Sequence, residues 1–460
     1  MRRIMLFSAV VAAVAAPATA QAHETGVDLA HATVFAPFAP PEFASQPGYG
    51  ENVEHVTGHT GFTGGHVAIE GNRLYVGSYG QGMRFFDISE PASPEPIGQY
   101  TPGLRADAPP DAAVFDGREI AVLNGTSRTH SRPEPQLAGT RTDRTEFLDV
   151  SDPANPRLLW TFGPDQVDGE SHNGDIVDSR RTYLPSGGRG AQGLRIYDLN
   201  PLLGETPAAP ANLFRGNPGT LWENSPHRGD KPVGAPFTHT HDVEIYTDYP
   251  VEGLGARDIV LLAEGGNYIG NGNTGSIFVI DITDPSNPAV LQRWLHESGP
   301  DHHPIRYHHE IQFVDGKPGL AIVTDEDMHN GCGNAGGITA LQFSPDLRSA
   351  TEVSEWFVPL GTPAPVCSVH VFSSRDGFVA LGSYNAGLQI VDYNDPADPQ
   401  QAGFFIAPGT TAWGALIHKD VIYVGDMSRG LDVYRFSGFP EEPEPQPGKD
   451  KKPKKPKKNP

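Results

Sequence analysis

Hydrophobic and polar residues alternate in short runs along most of this chain, and no stretch keeps a helical repeat for long. The segment from His66 reads HVAIEGNRLYVGSYGQGMRFFDISEPASPEPIGQY, and the segment from His370 reads HVFSSRDGFVALGSYNAGLQIVDYNDPADPQQAGFF. In both, four apolar or alternating runs are separated by Gly, Asp, Asn and Pro, which is typical of β-strands joined by tight turns. Each segment therefore predicts a unit of four strands, called A, B, C and D in chain order.

The four-stranded unit recurs along the body of the chain. Spacings between the starts of successive A strands run from 44 residues (370 to 414) to 69 residues (172 to 241). The last unit has only strands A to C, and the stretch ENVEHVTG ahead of the first unit resembles the missing D strand. The pattern predicts an all-β fold, a seven-bladed β-propeller of four-stranded blades closed by an N-terminal strand, because closure removes open sheet edges. The seven A strands start at His66, Ala112, His172, His241, His309, His370 and Gly414.

Acidic residues end most of the C strands, just before turns such as DPSNP and DPADP. An Asp side chain at such a turn accepts a hydrogen bond from a backbone amide two residues later. We therefore expect these acids to hold the C–D turns rather than to do chemistry. They are Asp87, Asp149, Asp198, Asp281 and Asp392.

The two ends of the chain differ from its body. Residues 1–22 combine two arginines, a short apolar run and Ala-x-Ala sites, which predicts a cleavable signal peptide and a secreted, periplasmic or otherwise extracytoplasmic protein. An N-terminal extension (23–51) and the propeller (52–438) follow. Residues 439–460 are a Pro/Glu linker and a Lys/Pro-rich tail, a composition that predicts disorder. No other segment is long and apolar enough to span a membrane.

Charge is divided between an acidic body and a basic tail. The chain carries a net charge of −22, whereas its last twelve residues, KDKKPKKPKKNP, contain seven Lys and one Asp. The tail has two open interpretations: adhesion to an anionic surface, or simple solubilisation. The acidic body argues against specific nucleic-acid binding, which needs clustered Lys and Arg.

The repeated C strands and turns carry a family resemblance. MRFFDISEPASP, EFLDVSDPANP, SIFVIDITDPSNP and LQIVDYNDPADP share one pattern, and with it the chain resembles the LVIVD-repeat proteins. The resemblance covers roughly residues 52 to 437 and implies an exported β-propeller without assigned activity. The fifth unit lacks the Asp-Pro turn and the second carries an insertion, so exact blade boundaries are left open.

Histidine opens five of the seven A strands, at one mouth of the predicted channel. Such a partial ring has two interpretations: imidazoles that bind the backbone of a neighbouring blade, or a site for zinc or another transition metal. The D–A and B–C loops meet at the same mouth and add further histidines. The candidate metal ligands are His66, His172, His239, His241, His308, His309 and His370.

Carboxylates and cysteines map to the same face. The acidic candidates for supporting or ligand roles are Asp175, Asp242, Glu264, Glu310, Asp325 and Glu326. Asp325, Glu326 and Asp327 together also raise the possibility of calcium, which prefers oxygen ligands. Cys332 and Cys367 lie in loops of adjacent blades in a chain expected to be exported, so we expect a disulfide between them. A metal–thiolate site is the minor alternative, because no CxxC spacing is present.

Two functions remain open from the sequence. The first is a non-enzymatic binding scaffold whose D–A and B–C loops hold a protein, a glycan or a metal ligand. The second is a metal protein, for zinc handling or metal-dependent catalysis, that uses the histidine ring. No phosphate-binding loop, dinucleotide fingerprint or serine-hydrolase elbow is present, so the sequence assigns no catalytic residue and no certain cofactor.

Overall fold

The computed structural model describes residues 47–78, 81–101, 110–124, 145–162, 173–186, 193–234, 236–265, 275–296, 307–326, 336–359, 362, 364 and 366–440. These residues form seven antiparallel sheets arranged as the blades of a propeller, which confirms the predicted fold class and blade count. Each sheet pairs its strands in the order A-B-C-D, and the A strands of neighbouring blades lie side by side around the central channel.

Strands are numbered in chain order, and the first two come from the N-terminal part of the chain. β1 (Tyr49–Glu51) pairs with the outer edge of blade 6 as an unexpected fifth strand. β2 (Val53–His59) is the outer strand of blade 7, where it pairs with the last strand of the chain. The ring is therefore closed by an N-terminal strand, as the ENVEHVTG stretch predicted.

Blades 1 to 4 follow in order. Their strands, from A to D, are β3 (Gly64–Glu70), β4 (Arg73–Ser78), β5 (Gly82–Asp87) and β6 (Glu95–Tyr100) in blade 1; β7 (Pro110–Phe115), β8 (Arg118–Leu123), β9 (Thr145–Asp149) and β10 (Arg157–Phe162) in blade 2; β11 (Asn173–Val177), β12 (Thr182–Ser186), β13 (Leu194–Asp198) and β14 (Ala211–Gly216) in blade 3; and β15 (His239–Val251), β16 (Gly255–Gly265), β17 (Ser276–Asp281) and β18 (Ala289–Trp294) in blade 4.

Blades 5 to 7 complete the ring. Their strands are β19 (His308–Phe313), β20 (Leu320–Asp325), β21 (Ile338–Phe343) and β22 (Ala350–Trp356) in blade 5; β23 (Phe372–Arg375), β24 (Phe378–Gly382), β25 (Leu388–Asp392) and β26 (Gln400–Ile406) in blade 6; and β27 (Ala412–His418), β28 (Val421–Asp426) and β29 (Gly430–Phe436), with β2, in blade 7.

Helix is scarce among the described residues. One short α-helix, α1 (Pro218–Glu223), lies in the D–A connection between β14 and β15, and two 3-10 turns span Asp178–Arg180 and Asn200–Leu203. Trp222 of α1 is fully buried, and its indole N–H donates to the backbone oxygen of Pro232 at 3.0 Å. No helix in the described part of the chain has the length and apolar character needed to cross a membrane.

The hydrophobic core lies between neighbouring blades. One cluster combines Leu261 and Val279 of blade 4 with Ile311, Val323 and Leu341 of blade 5, all essentially inaccessible to solvent. Similar clusters repeat around the ring, because every sheet has one blade on each side and its inner strands are apolar on both faces. Burial on both faces makes each blade a rigid support for the residue that opens its A strand.

The acids that end the C strands hold the turns, as predicted. Each accepts a hydrogen bond from the amide two residues later, at distances from 2.7 to 3.2 Å. These residues are Asp87, Asp149, Asp198, Asp281 and Asp392. They lie at the C–D turns, on the other face of the ring from the D–A and B–C loops.

Candidate functional site

The residue that opens strand A is displaced from the regular strand in several blades. In blade 4, Thr240 pairs with Glu264 and Asp242 with Ala263, so His241 between them is an extra, bulged residue. The registers of blades 1, 5 and 7 shift at the same place. In blade 6, the amide of His370 donates to Gly382 while Gly382 donates to Val371, so two residues again face one. A β-bulge changes the direction of a side chain. Here it helps to point the side chain that opens each of these A strands toward the next blade.

These bulged residues form an arc of closely packed, mutually tilted rings at the channel mouth. The ring centroids of His241 and His309 are 4.2 Å apart, those of His309 and His370 are 3.9 Å apart, and those of His370 and Trp413 are 4.1 Å apart. His66 continues the arc with its ring 5.3 Å from that of His370. Four of the five histidines predicted to form a ring therefore lie together, and the fifth, His172, is outside the described residues.

The backbone of the next blade orients two of these imidazoles. Nδ1 of His241 donates to the backbone oxygen of His309 at 2.7 Å, and Nδ1 of His370 donates to that of Trp413 at 3.0 Å. A carbonyl oxygen only accepts, so Nδ1 carries the proton and Nε2 keeps its lone pair in the neutral ring. The same arrangement prepares histidine for a metal, because the hydrogen bond at one nitrogen fixes the other as a ligand.

Glu326 brings a carboxylate to this arc from the end of β20. Its Oε2 lies 3.9 Å from Nε2 of His309, and its Oε1 lies 3.9 Å from Nε2 of His370. Both distances exceed a hydrogen bond. Oε1 also accepts a short hydrogen bond from the hydroxyl of Tyr384, in the B–C loop of blade 6.

The surroundings of Glu326 favour its neutral form in the absence of a cation. Burial raises the pKa of Glu326 to about 8, against the opposing hydrogen bond from Tyr384 and with a further contribution from the charge of Asp325. A cation bound beside the carboxylate would take the place of this proton.

Three of the side chains lie close enough together to be candidate metal ligands. His241, His309 and Glu326 each offer one ligand atom, and these atoms all lie within 4.8 Å of one another. Around tetrahedral zinc with bonds of 2.0–2.1 Å, ligand atoms are roughly 3.4 Å apart, so modest side-chain rotations would close the set. His241 is 2 % exposed, and His309, Glu326 and His370 are 0 % exposed.

Aromatic side chains that the sequence did not single out complete the cluster. The Tyr307 ring packs edge-on against His241 with centroids 4.9 Å apart. Trp413 takes the ring position in blade 7, because Val371 pairs with Gly414 and so His370 aligns with the residue before it. The predicted start of the seventh unit is therefore one residue late. Trp413 stands where other blades have histidine, so the sequence repeat does not identify it. Its equivalence to His370 becomes evident only when the β-bulges of the two blades are aligned.

Two other candidate histidines lie away from the three-ligand group. Nε2 of His239 is 3.1 Å from the hydroxyl of Tyr307, and the ring covers Gly265. His308 is buried on the other side of β19, with its ring 5.9 Å from that of Trp294. Neither belongs to the group formed by His241, His309 and Glu326.

Two of the candidate carboxylates have structural partners. Glu264 is buried in blade 4, 3.1 Å from the Arg293 guanidinium, and it also accepts from the amide of Thr238 at 2.7 Å. Asp325 accepts from the amide of Tyr307 at 2.9 Å. With Asp327 outside the described residues, the possible calcium site at Asp325, Glu326 and Asp327 remains a prediction.

The remaining carboxylate candidates, Asp175, Asp242 and Glu310, line a cavity in the central channel together with His66. Asp111 and Glu244, which the sequence analysis did not select, line the same cavity. The alternation of side chains along strand A could have predicted Glu244, because residues two apart in a strand, such as Asp242 and Glu244, point to the same side.

The predicted disulfide is only half within the described residues. Cys367 is buried in the core between blades 5 and 6, with its sulfur 3.9 Å from the backbone oxygen of Ala364. Cys332 lies outside the described residues, so the bridge stays a prediction.

The family model described as "LVIVD repeat" matches residues 64–102 and 256–295. No functionally curated protein matches the sequence significantly. Two of the solved structures similar to this chain are the WD40 beta propeller domain of Doa1 and the computationally designed Ika8 protein. The first has a TM-score of 0.49 at 10 % identity, covering 83 % of this chain and 96 % of that chain. The second has a TM-score of 0.44 at 9 % identity, covering 83 % and 98 %.

The two segments matched by the family model occupy corresponding places in the fold. The first spans all four strands of blade 1, and the second begins in strand B of blade 4 and runs to the end of its strand D. The resemblance seen in the C strands and turns is thereby confirmed for these two segments: the chain is a seven-bladed β-propeller with LVIVD repeats in blades 1 and 4.

Proposed function

We propose that this protein binds a transition-metal ion at the channel mouth, with His241, His309 and Glu326 as ligands. The observation that carries the proposal is the approach of three ligand atoms to within 4.8 Å of one another in a buried cluster. Two imidazoles and one carboxylate are a donor set that zinc accepts, and imidazole also suits copper, iron and nickel. His370 borders the same carboxylate and is a further ligand candidate.

The burial of the cluster favours holding an ion over catalysing a reaction. A catalytic zinc site keeps a coordination position open to substrate, whereas His241, His309 and Glu326 are each at most 2 % exposed within the described chain. A non-enzymatic metal-binding propeller therefore combines both functions left open by the sequence.

Metal analysis of the protein purified without a histidine tag tests the proposal. After chelator treatment, Zn²⁺ and Cu²⁺ are titrated separately by calorimetry, and the bound metal is counted after dialysis. We expect one ion per chain in the wild type, and its loss in His309→Ala and Glu326→Gln. His308→Ala is the matched control, because it removes the adjacent buried histidine of the same strand while leaving the three ligands. The proposal fails if the wild type retains no metal, or if His309→Ala binds like the wild type.

An interaction scaffold is a second candidate function, supported by the D–A connection between β14 and β15. This connection is a packed structure rather than a bare loop, since Trp222 is buried and the Lys231 ammonium donates to Gln292 of β18 at 2.6 Å. Such a structure offers a rigid surface for a partner. Deleting loops of this face while keeping Trp222 should abolish any partner capture from the native extract; capture that survives every deletion contradicts this function.

Export is part of the same proposal, through cleavage of residues 1–22, which lie outside the described residues. An extracytoplasmic location would suit a chain that acquires its metal after secretion. Mass determination of the N-terminus of the mature protein tests this. A mature chain that still begins at Met1 would contradict it.

A further inference from the structure

Acidic side chains from four consecutive blades line one cavity in the central channel, below the histidine arc. The cavity has a volume of about 160 Å³, enough for an ion together with water molecules. Besides His66 and Gln312, its polar lining consists of acidic side chains and one Asn from strand A of blades 2, 3, 4 and 5. These residues are Asp111, Asn173, Asp175, Asp242, Glu244 and Glu310.

Backbone amides hold two of these carboxylates. Asp111 accepts from its neighbour Ala112 at 2.8 Å and from Ile176 of blade 3 at 2.6 Å. Glu310 accepts from the amide of Phe372 in blade 6 at 3.1 Å. Both therefore bind across a blade boundary and serve to fix the channel wall.

Asn173 and Asp175 each have a buried side-chain oxygen that accepts no hydrogen bond within the described chain. Asn173 is 6 % exposed, and its Nδ2 lies 3.3 Å from Oδ1 of Asp242. This contact fixes the amide orientation, because the reverse orientation would set an oxygen against a carboxylate oxygen. No hydrogen-bond donor of the described chain reaches Oδ1 of Asn173 or Oδ2 of Asp175, although both atoms are buried. Buried oxygens in a polar cavity need a donor or a cation.

The charge of the cavity points to a cation. Among the described residues that line it, the His66 imidazole is the sole basic side chain. Burial and the neighbouring carboxylates raise the pKa of Asp111 to about 7 and that of Glu244 to about 8. Like charges that share a site disfavour ionisation, and a bound cation would reverse this effect.

We propose that the channel cavity is a site for a hard divalent cation, Ca²⁺, held by the carboxylates of Asp175, Asp242 and Glu244 and the amide oxygen of Asn173. Ca²⁺ takes six to eight oxygen ligands, including carboxylates, Asn carbonyls and water. The donors differ in kind from the nitrogen-rich set at the channel mouth, so two different ions would occupy the channel. The calcium site is independent of the transition-metal site, and either stands without the other.

Calcium titration of the full chain tests this site. CaCl₂ is titrated by calorimetry into chelator-treated protein at about pH 8, because carboxyl groups with raised pKa values need a higher pH to ionise and Ca²⁺ binds the ionised form. The melting temperature is measured with and without Ca²⁺. We expect Ca²⁺ to bind the wild type and raise its melting temperature, as does any ligand of the folded state. Asp175→Asn and Glu244→Gln should weaken binding about tenfold or more, because affinity follows ligand charge.

Two controls separate this result from misfolding and from the first site. Glu54→Gln removes an exposed carboxylate of β2 and should bind Ca²⁺ like the wild type. His309→Ala should keep calcium binding while it loses the transition metal. Without Ca²⁺, Asp175→Asn should melt at or above the wild-type temperature, since it relieves repulsion. The site is overturned if the wild type shows neither heat of binding nor a melting shift, or if Asp175→Asn and Glu244→Gln bind Ca²⁺ as tightly as Glu54→Gln.

Discussion

Nδ1 of His241 donates to the backbone oxygen of His309, 2.7 Å away in the next blade. His370 makes the same bond to Trp413. From the sequence, the histidines were either structural residues or metal ligands. This hydrogen bond makes the two roles compatible in one residue. An imidazole whose Nδ1 donates to the next blade has its lone pair on Nε2. The hydrogen bond that connects two blades therefore also orients Nε2 as a metal ligand.

The hydroxyl of Tyr384 should tune this site through Glu326, to which it donates. We expect Tyr384→Phe to weaken Zn²⁺ binding by about 10- to 100-fold, the range typical of lost partners of metal ligands. The aromatic packing against His370 and Trp413 is retained in this variant. Calorimetric titration of the chelator-treated proteins measures the effect.

Tyr423→Phe is the matched control for this prediction. Its hydroxyl also makes a hydrogen bond, to the backbone oxygen of Pro91 at 2.8 Å, but at the junction of blades 7 and 1. It should lower stability without changing the affinity for Zn²⁺. Equal zinc affinity in Tyr384→Phe and Tyr423→Phe would show that the phenol has no role in the site.

The buried carboxyl of Glu326 should make the metal-free protein less stable at alkaline pH. Burial raises its folded-state pKa to about 8 from 4.5, so between about pH 5 and pH 8 the folded state holds a proton that the unfolded state releases. The free energy of unfolding should fall with rising pH by up to about 1.4 kcal/mol per pH unit from this group. Urea denaturation of chelator-treated protein across this range gives the slope.

Glu326→Gln isolates this contribution from that of the channel acids. The variant should have a shallower dependence on pH than the wild type over the same range, whereas the exposed variant Glu54→Gln should match the wild type. Identical slopes for Glu326→Gln and the wild type would mean that Glu326 is already ionised in the folded protein.

The sequence predicted the fold well because the fold is a repeated local pattern. Alternation, the Asp-Pro turns and the recurring unit gave the blades, and ENVEHVTG gave the closing strand. The site was only partly predictable. A β-bulge adds one residue to a strand and has no recognisable sequence signature. The sequence therefore predicted neither the direction of the His241 side chain nor the structural equivalence of Trp413 and His370.

Local spacing was also a poor guide to which histidines cluster. His239 was a candidate ligand two residues before His241, yet its ring contacts Tyr307 and lies outside the three-ligand group. His308 and His309 are neighbours that point to opposite sides of β19, toward Trp294 and toward the arc. Glu326 approaches His309 because β19 pairs with β20 in the same blade, with His308 opposite Asp325. Its approach to His370 joins two blades, and sequence separation does not encode it.

The two cysteines should form a disulfide that pins the loops of blades 5 and 6. The bridge would close a loop of about 35 residues and add roughly 3–4 kcal/mol in the chain-entropy model. Thiols are counted in guanidinium, because Cys367 is buried in the native state. We expect none before reduction and two after it. Cys332→Ser should melt at the temperature of the reduced wild type, and two thiols without reduction would rule the bridge out.

The N-terminal strand β2 should be essential for closing the ring. It pairs with β29 at six positions, and at about 0.5–1.5 kcal/mol per hydrogen bond its loss should cost roughly 3 kcal/mol or more. It also places His55 2.8 Å from the buried carboxylate of Asp432. A chain that starts at Thr60 should unfold at a much lower temperature than one that starts at Val53. Of the paired strands, the second chain keeps β2 and loses β1, whose three residues are exposed at the edge of blade 6. It also loses Asn52, which bonds to Ala402 and Ser437. Equal melting temperatures for the two chains would mean that the ring holds together without β2.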